Sequence, residues 1–582
     1  MARNCDFATL AASAASFAWS NERFAESTSR PCRIARVVVS LTSRAARTMV
    51  IAIRAEPPTL AQKVLGSGVG TSYATTQRLF NATLSILDER GTAQPYLAET
   101  LPRLNTDSWR LFPDGRMETT FRLKPNVIWQ DGTPLSAEDF VFAREVYASP
   151  QVGISNASPQ NLIAEVTAPD ARTLVIHWSR SYPAAGTLAE ADFPPLPRAI
   201  LEAQFHQDPA ALVKHSYFTL DYVGLGPYRV TQWLPGAHIE AVAFDAHILG
   251  KPKIDRIRVM FISDTNTALA SVLADEVQFA TDSVIRFEQG LTLRREWAAS
   301  RAGTVLVKTG SYRGAWFQLR PEVASPAAVL DLRVRRALAH AISRPDVNDA
   351  LFEGQGIMTE LPFISPAAAY IAEVDRASVK YPFDLRASEQ LMGEAGFRKG
   401  PDGTYAGVTF EIRTLSDTQR EKEMAVLADG WRKAGFPFTE STLRSTQAAD
   451  NEARATFPSL FTYSTSSGEY SLTGFVSTAI GSADNRWIGT NRGGWVNRDF
   501  DRVAASFADA IEPNERVRHV AEMARIMTED LPNIPLLFDS ATDAHVAAVR
   551  GPRVGVPDSL ISWDIQDWTM DLRVPSPLVG EG

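Results

Sequence analysis

Cysteine is nearly absent: Cys5 and Cys32 are the only two in 582 residues, and both precede the first convincing strand. A disulfide framework or a CxxC zinc site in the body is thereby excluded. Long apolar runs are missing too, since no stretch reaches the roughly 18 residues that a membrane-crossing helix needs. Basic charge is not in excess. The formal net charge is -8, the isoelectric point is near 5.7, and no long basic run occurs, so nothing draws the chain to nucleic acid or anionic lipid. The signatures of common enzymes are lacking as well: no G-x-S-x-G elbow, P-loop, H-E-x-x-H or G-x-G-x-x-G is found. The glycine-rich "GSGVGTS" (Gly66 to Ser72) has no phosphate-binding lysine and reads as a mobile loop. His206 and His215, like His238 and His247, are nine residues apart, a spacing that assembles no metal site. No metal or cofactor is expected, and the absence of a fixed-period repeat excludes a solenoid.

What is present is a globular composition, 45% hydrophobic and 22% charged, on a chain long enough for two or three domains. Residues 1–48 stand apart. They carry Arg3, Arg23, Arg30, Arg33, Arg36, Arg44 and Arg47 among many Ser and Ala without a signal-peptide apolar core, which fits a transit peptide or a mis-called start. Order begins near Met49, with a buried strand that Pro57-Pro58 stops. "METTFRL", "RTLVIHW", "IEAVAF" and "DRIRVMFI" alternate as strands with one wet face; Ile257, Val259 and Phe261 face one way, Arg256 and Arg258 the other. "DLRVRRALAHAI" reads as a helix capped by Asp331, with Arg333, Arg335 and Arg336 on a solvated face. "ASEQLMGEAGF" is another helix, stopped by Gly396. Glu515 to about Asp530 is a third, followed by a short strand between Pro532 and Pro535. Strands alternating with helices favour a mixed α/β body.

"WQDGTPLSAEDFVFA" (Trp129 to Ala143) concentrates acids. Asp131-Gly132 makes a tight turn, Pro134 ends the strand, and Ser136 with Asp139 forms a capping box ahead of the apolar Phe140, Val141 and Phe142. The acids shape the chain; a hydrolase using Asp131 and Asp139 as paired carboxylates is the remote alternative.

Several stretches in order resemble the family 5 extracellular solute-binding proteins, the oligopeptide, dipeptide and nickel binders that feed ABC importers. They are "FRLKPNVIWQDGTPLSAEDFVFA", "GLGPYRVTQWLPGAHIEAVAF", "GKPKIDRIRVMFISDTNTALASVLADEVQFA", "DLRVRRALAHAISRPDVNDALFEGQG" and "GWVNRDFDRVAASFADAIEPNERVRHVAEMARIMTEDLPNIPLLF", covering about Met49 to Met570. The resemblance implies a bilobal α/β fold of the periplasmic-binding-protein type (type II, cluster C), with mixed sheets. Residues 49–90 and 223–305 would form the first lobe, 91–222 an inserted small domain, 306–537 the second lobe, and 538–582 the return to the first lobe and the tail. It further implies capture of a small peptide or similar polar solute by a monomer at the periplasmic or extracellular face of a bacterial membrane. An ABC permease would be the partner and no catalysis would occur. Cys32 lacks a lipobox context, so lipid anchoring is not expected. A ligand sensor or chaperone without a transporter would use the same fold.

Site residues follow from the same resemblance. Glu56 matches a ligand-contacting position of peptide binders. "LFTYSTSSGEYSLTGF" (Leu460 to Phe475) aligns with the region where those binders hold the peptide's α-amino group by an aspartate in a Trp-x-x-Asp-Tyr context. That motif is missing here, which leaves Glu469 as the candidate negative charge, with Tyr463 and Tyr470 beside it. Tyr312, Trp316 and Gln318 alternate on one face of a strand near the expected cleft, as a pocket or as core. Trp487 and Trp495, among Gly and Asn, are expected in loops.

Overall fold

The computed structural model describes residues 47–63, 65, 73–154, 158–366, 368–444, 447, 450–556 and 559–571. Almost all of the 1–48 leader, and the Gly66 to Ser72 stretch, lie outside the described residues.

Period-two alternation builds the strands where it was expected. In Arg256–Phe261, Ile257 and Val259 are buried while Arg256 and Arg258 are exposed; Met117–Arg122 buries Met117, Thr119 and Phe121. These strands belong to two different sheets. Met117–Arg122 lies in a four-stranded antiparallel sheet with Trp109–Leu111, Ile163–Asp170 and Thr173–Trp178, within the span 91–222. Arg256–Phe261 lies in the main sheet of eleven strands, beside Thr48–Ile53, with which it runs parallel.

Two strands of that main sheet span it from end to end. Gly303–Phe317 and Asn533–Val546 pair antiparallel along nearly their whole length, from Gly303 opposite Val546 to Trp316 opposite Asn533. At one end Asn533–Val546 also pairs with Phe279–Ala280, which lies parallel to Thr48–Ile53. At the other end Gly303–Phe317 pairs with Leu460–Thr465, next to which Phe410–Leu415 and Phe438–Leu443 run parallel. Separate hydrophobic cores flank each end. Met49, Ile51, Ile257 and Phe279 share one core with the four-stranded sheet, whereas Ala315, Phe317, Phe410 and Leu460 pack under the Thr418–Lys433 helix. The body is therefore two lobes joined by two continuous strands.

The strand after Pro532 differs from the short one expected: it has 14 residues and includes Pro535. Pro535 removes a ladder donor, but it sits opposite Gly314 where the register shifts between Arg313 and Gly314, the irregular place at which a strand tolerates proline. Arg335 also departs from expectation. It lies inside the protein, and its guanidinium donates to the carbonyls of Val329, Leu330, Asp530 and Leu531 at 2.8–3.2 Å. The last carbonyls of the Pro513–Asp530 helix have no intrahelical donor, and a buried arginine supplies one. Asp331 caps the Leu332–His340 helix, accepting from Arg333 N at 2.9 Å. Ser136 and Asp139 form the expected capping box, and Asp139 also accepts from Arg198 N at 3.0 Å. Asp131 accepts from Thr133 N and Oγ1 within the turn at Gly132. Both acids serve chain geometry.

Charge gathers where the long strands cross between lobes. Lys308 Nζ lies 2.9 Å from Asp543 Oδ2. Arg313 donates to Glu423 (Nε, 3.0 Å) and to Asp539 (Nη1, 3.2 Å), and Asp539 accepts from Ser311 N at 2.7 Å. Asp282, just beyond Phe279–Ala280, accepts from Thr76 N at 3.2 Å and Thr76 Oγ1 at 2.6 Å. Burial pushes the Asp282 carboxyl up to about 6, with Asp543 adding to the rise.

Two outcomes follow. A Cβ on Gly314 would lie 2.7 Å from the Ile534 carbonyl oxygen and 3.2 Å from Tyr463 Oη. Gly314→Val should therefore cost about 1–3 kcal/mol in urea unfolding; an unchanged midpoint would show that the strands have room to part. Because folding raises the Asp282 pKa, its contribution to stability is complete below about pH 4 and is lost as pH rises to about 6. Asp282→Asn should flatten the stability difference between pH 4.5 and 7.5, and a difference equal to that of the unsubstituted protein would refute the assignment.

Candidate ligand cleft

Strand direction locates the cleft. In the first lobe, Phe279–Ala280 approaches the crossing region with its carboxyl end, Ala280 pairing with Ala544, and the parallel Thr48–Ile53 and Arg256–Phe261 point the same way. In the second lobe, Leu460–Thr465 places Thr465 opposite Tyr312 near the crossing, with Phe410–Leu415 and Phe438–Leu443 parallel to it. The carboxyl ends of both parallel sets therefore face each other across the hinge strands. Loops at such ends are where open α/β sheets bind ligands.

The loops from the two sides approach at one place. Tyr182, beyond the four-stranded sheet, lies within electrostatic reach of Tyr470 and Arg516 of the second lobe, and Tyr470 within reach of Asp192. Burial drives the Tyr182 phenol up, pushes the Asp192 carboxyl up to about 6 and brings the Lys63 ammonium down to about 8; each member of the Lys63–Asp192 pair partly opposes the shift of the other. Lys63 Nζ is held by the Ala191 carbonyl at 2.7 Å. Tyr470 remains 51% exposed although protein surrounds it on two sides, as expected of a side chain at a cleft mouth. Its ring lies 5.3 Å from the Arg516 guanidinium and packs edge-on against Phe507.

Glu469 is also at this boundary, but its charge is engaged. Arg516 forms an ion pair with it, and Tyr370 donates to it at 3.4 Å. Arg516 itself is anchored on the Phe507 and Ala510 carbonyls. Glu469 is therefore a neutralised acid, unlike the open carboxylate anticipated for an ammonium.

Tyr312, Trp316 and Tyr463 come together as an aromatic wall inside the second lobe. Trp316 stacks on Tyr463 with ring centres 4.0 Å apart and planes within 8°, and Tyr312 meets Phe363 at 4.4 Å. Asn533 Nδ2 donates to both phenol oxygens, at 3.1 Å for Tyr312 and 2.8 Å for Tyr463. Gln318 is fully buried; Nε2 donates to the Ala455 and Phe457 carbonyls, and Oε1 accepts from Arg320 N. Its amide is thus spent inside the lobe, because those carbonyls lie outside any regular ladder. Glu56 accepts from Trp233 Nε1 at 2.6 Å and Gly236 N at 2.9 Å, tying the loop after Thr48–Ile53 to a neighbouring turn. Trp495 is buried against Phe500 and donates to Asp530 at 3.1 Å; Trp487 is half-buried in a loop, 5.8 Å from the Arg320 guanidinium.

Lys63, Tyr182, Asp192 and Arg516 were not singled out in the sequence. Arg516 left a faint trace there: it occupies a buried position on the face that carries Val520, Met523 and Met527, where an apolar residue would be ordinary. Among the described residues no group of three or more His, Cys, Asp or Glu could hold a metal ion, and no helix is long and apolar enough to cross a membrane.

Relatives share this architecture. The oligopeptide-binding protein from Thermus thermophilus, solved with a pentapeptide, superimposes with a TM-score of 0.71 at 20% identity, covering 90% of this chain and 96% of that one. NikA from Brucella suis, solved with Fe(III)-EDTA, gives 0.72 at 17% identity over 90% and 100%. By sequence, a putative ABC transporter peptide-binding protein of Brucella ovis is 25% identical over 299 residues, 50% of this chain; the chain spans about half the length of that relative, 51%. Di/tripeptide-binding protein 2 of Pseudomonas aeruginosa is 23% identical over 86% of this chain and 94% of its own. The middle-region pattern of the bacterial extracellular solute-binding proteins, family 5, matches residues 99–485, more than half of the length. Two lobes on shared strands, loops facing at the carboxyl ends, and that match lead to one conclusion: the chain belongs to family 5 of the bacterial extracellular solute-binding proteins.

Proposed function

We propose that this protein captures a peptide or peptide-sized polar solute between its lobes outside the cytoplasm and delivers it to the permease of an ABC importer. The observation that carries the reading is that Tyr182 and Asp192 lie within electrostatic reach of Tyr470 and Arg516 across lobes that two continuous strands join. Such a joint bends at few backbone positions and lets the lobes close as bodies. Relatives whose names specify peptide binding agree with it.

On this reading the first lobe comprises 49–90 and 223–305, the inserted domain 91–222 and the second lobe 306–537, with 538–582 the return to the first lobe and the tail. Tyr470 contacts solute directly. The Tyr312–Trp316–Tyr463 wall stiffens the second-lobe floor beneath it, Trp487 stands at the rim, and Glu56, Gln318 and Trp495 hold the surrounding loops in place. Glu469 fixes Arg516, which in turn orients Tyr470. One chain completes the cleft, so a monomer suffices. A micromolar solute requires about 8 kcal/mol of net binding, within reach of a desolvated aromatic and a few charge-assisted hydrogen bonds.

Native mass spectrometry of the purified chain, before and after mild unfolding, should release a small solute. Tyr470→Ala should weaken rebinding of that solute about tenfold while leaving the unfolding free energy within about 0.5 kcal/mol, as for exposed positions. Rebinding unaffected by the substitution would move the contact elsewhere, and turnover of the solute would replace capture with catalysis.

A further inference from the structure

The Phe287–Ser300 helix belongs to the first lobe by its place in the chain, yet its side chains divide between the lobes. Leu293 and Trp297 share a core with Ala280 and Ala544 of the first lobe. Phe287 is buried in the second-lobe core with Ala315, Phe317 and Phe352, and Leu291 packs against that core. The Phe287 ring meets Phe352, the last residue of the Arg344–Phe352 helix, edge-on with centres 5.6 Å apart. Between these two anchorages Gly290 lies against the crossing itself: a Cβ there would stand 2.5 Å from Thr542 Cγ2. Glycine is unfavourable inside a helix, and so close an approach to a strand is a reason to place one there. Polar contacts follow the same line. Arg294 Nη1 donates to Gln355 Oε1 at 3.1 Å, Ser540 Oγ donates to the Gln355 carbonyl at 3.2 Å, and Arg286 lies 3.6 Å from Asp417 of the second lobe.

Alternation along the strands decides which side of the sheet the helix occupies. In Gly303–Phe317, Tyr312 and Trp316 point into the core that holds Phe363 and Tyr463, whereas Ala315 and Phe317 point the other way, into the core that holds Phe287. In the first lobe Phe279 and Val546 face the core that holds Tyr182, while Ala280 and Ala544 face Leu293 and Trp297. The segment before Tyr470 is on the Tyr312 side, because Gly468 N donates to the Phe363 carbonyl at 2.8 Å. The Tyr182–Tyr470 approach therefore lies on one face of the crossing strands and the Phe287–Ser300 helix on the opposite face. Bending that parts the lobes on the first face presses them together on the second. There Phe287 and Phe352 are only 5% and 1% exposed and already touch, and close-packed side chains yield little to compression.

We infer that the Phe287–Ser300 helix is a backstop behind the hinge: its first two turns, wedged between Thr542 of a crossing strand and Phe352 of the second lobe, limit how far the cleft opens when no solute is bound. The inference rests on the capture reading and assigns the part of the fold that regulates it. A cleft that cannot open widely keeps a larger share of the solute-free protein near the geometry that binds, and apparent affinity scales with that share. Phe287 and Leu291 are positioning residues in this sense, acting from the face turned away from Tyr470.

The test is pulsed dipolar spectroscopy on the full chain with Cys5 and Cys32 replaced by Ser, spin labels at Glu165→Cys and Asn514→Cys, and bound solute removed by mild unfolding and refolding. Phe287→Ala should lengthen the distance between the labels by at least about 4 Å, the spacing of one carbon contact that the ring occupies. Leu291→Trp, which thickens the helix towards the second lobe, should shorten it. Cooperative thermal unfolding shows that each variant keeps its core; where Phe287→Ala does not fold, Phe287→Leu takes its place and should lengthen the distance by less. A helix that merely ties the lobes together would be loosened by either change, so distances that lengthen in both variants, or change in neither, overturn the backstop. Adding back the small-molecule fraction freed by unfolding reads capture separately. Its binding should weaken in Phe287→Ala and tighten in Leu291→Trp, with the labels drawn together in all three proteins. Equal binding to all three while the solute-free distances shift as expected would overturn the link from opening to affinity. A fraction that draws the labels together in none of them overturns capture and leaves the backstop to be decided by the solute-free distances alone.

Discussion

Everything in this molecule depends on Gly303–Phe317 and Asn533–Val546 remaining paired while each serves two lobes. A ladder of backbone hydrogen bonds is stiff along its length but yields where its register breaks, and it breaks between Thr309 and Tyr312. The Lys308–Asp543 and Arg313–Glu423–Asp539 clusters bracket that break. Buried ion pairs of this kind add little net stability against an apolar alternative, but they penalise geometries that separate them. They therefore oppose any parting of the strands that would separate the charges.

The strands also decide where chemistry can be placed. Because the parallel strands of both lobes aim their carboxyl ends at the crossing, every loop at those ends enters the same space. Residues as distant in the chain as Lys63, Tyr182, Asp192 and Tyr470 are brought within electrostatic reach of one another. Confinement then alters their protonation: burial raises the Asp192 and Asp282 carboxyls to about 6 and lowers the Lys63 ammonium to about 8. A solute entering this space meets groups that water has partly left, where hydrogen bonds to charge are stronger than on an open surface.

Local features could be read directly from the residues. The alternation of Ile257 and Val259 against Arg256 and Arg258, the Ser136–Asp139 box and the Asp331 cap all depend on neighbours a few positions away, and the structure shows each. Features set by distant partners could not. Arg335 looks solvated on a helical wheel, yet it satisfies carbonyls almost 200 positions later in the chain. Pro535 disguises a long strand because the register shift that accommodates it, which skips Leu536, appears only in the pairing with Gly303–Phe317. Tyr312, Trp316 and Tyr463 were legible as aromatics of a pocket or a core, but their burial together, their stacking and their shared Asn533 depend on three separate segments.

The central claim is that the lobes close about the crossing strands when solute binds. Spin labels at the exposed Glu165→Cys and Asn514→Cys, one beyond each side of the cleft, with Cys5 and Cys32 replaced by Ser, would report it by pulsed dipolar spectroscopy. The account predicts that saturating solute shortens and narrows the distance distribution between the labels. A distribution unchanged by a solute bound at full occupancy would contradict closure and leave a rigid binding protein in its place.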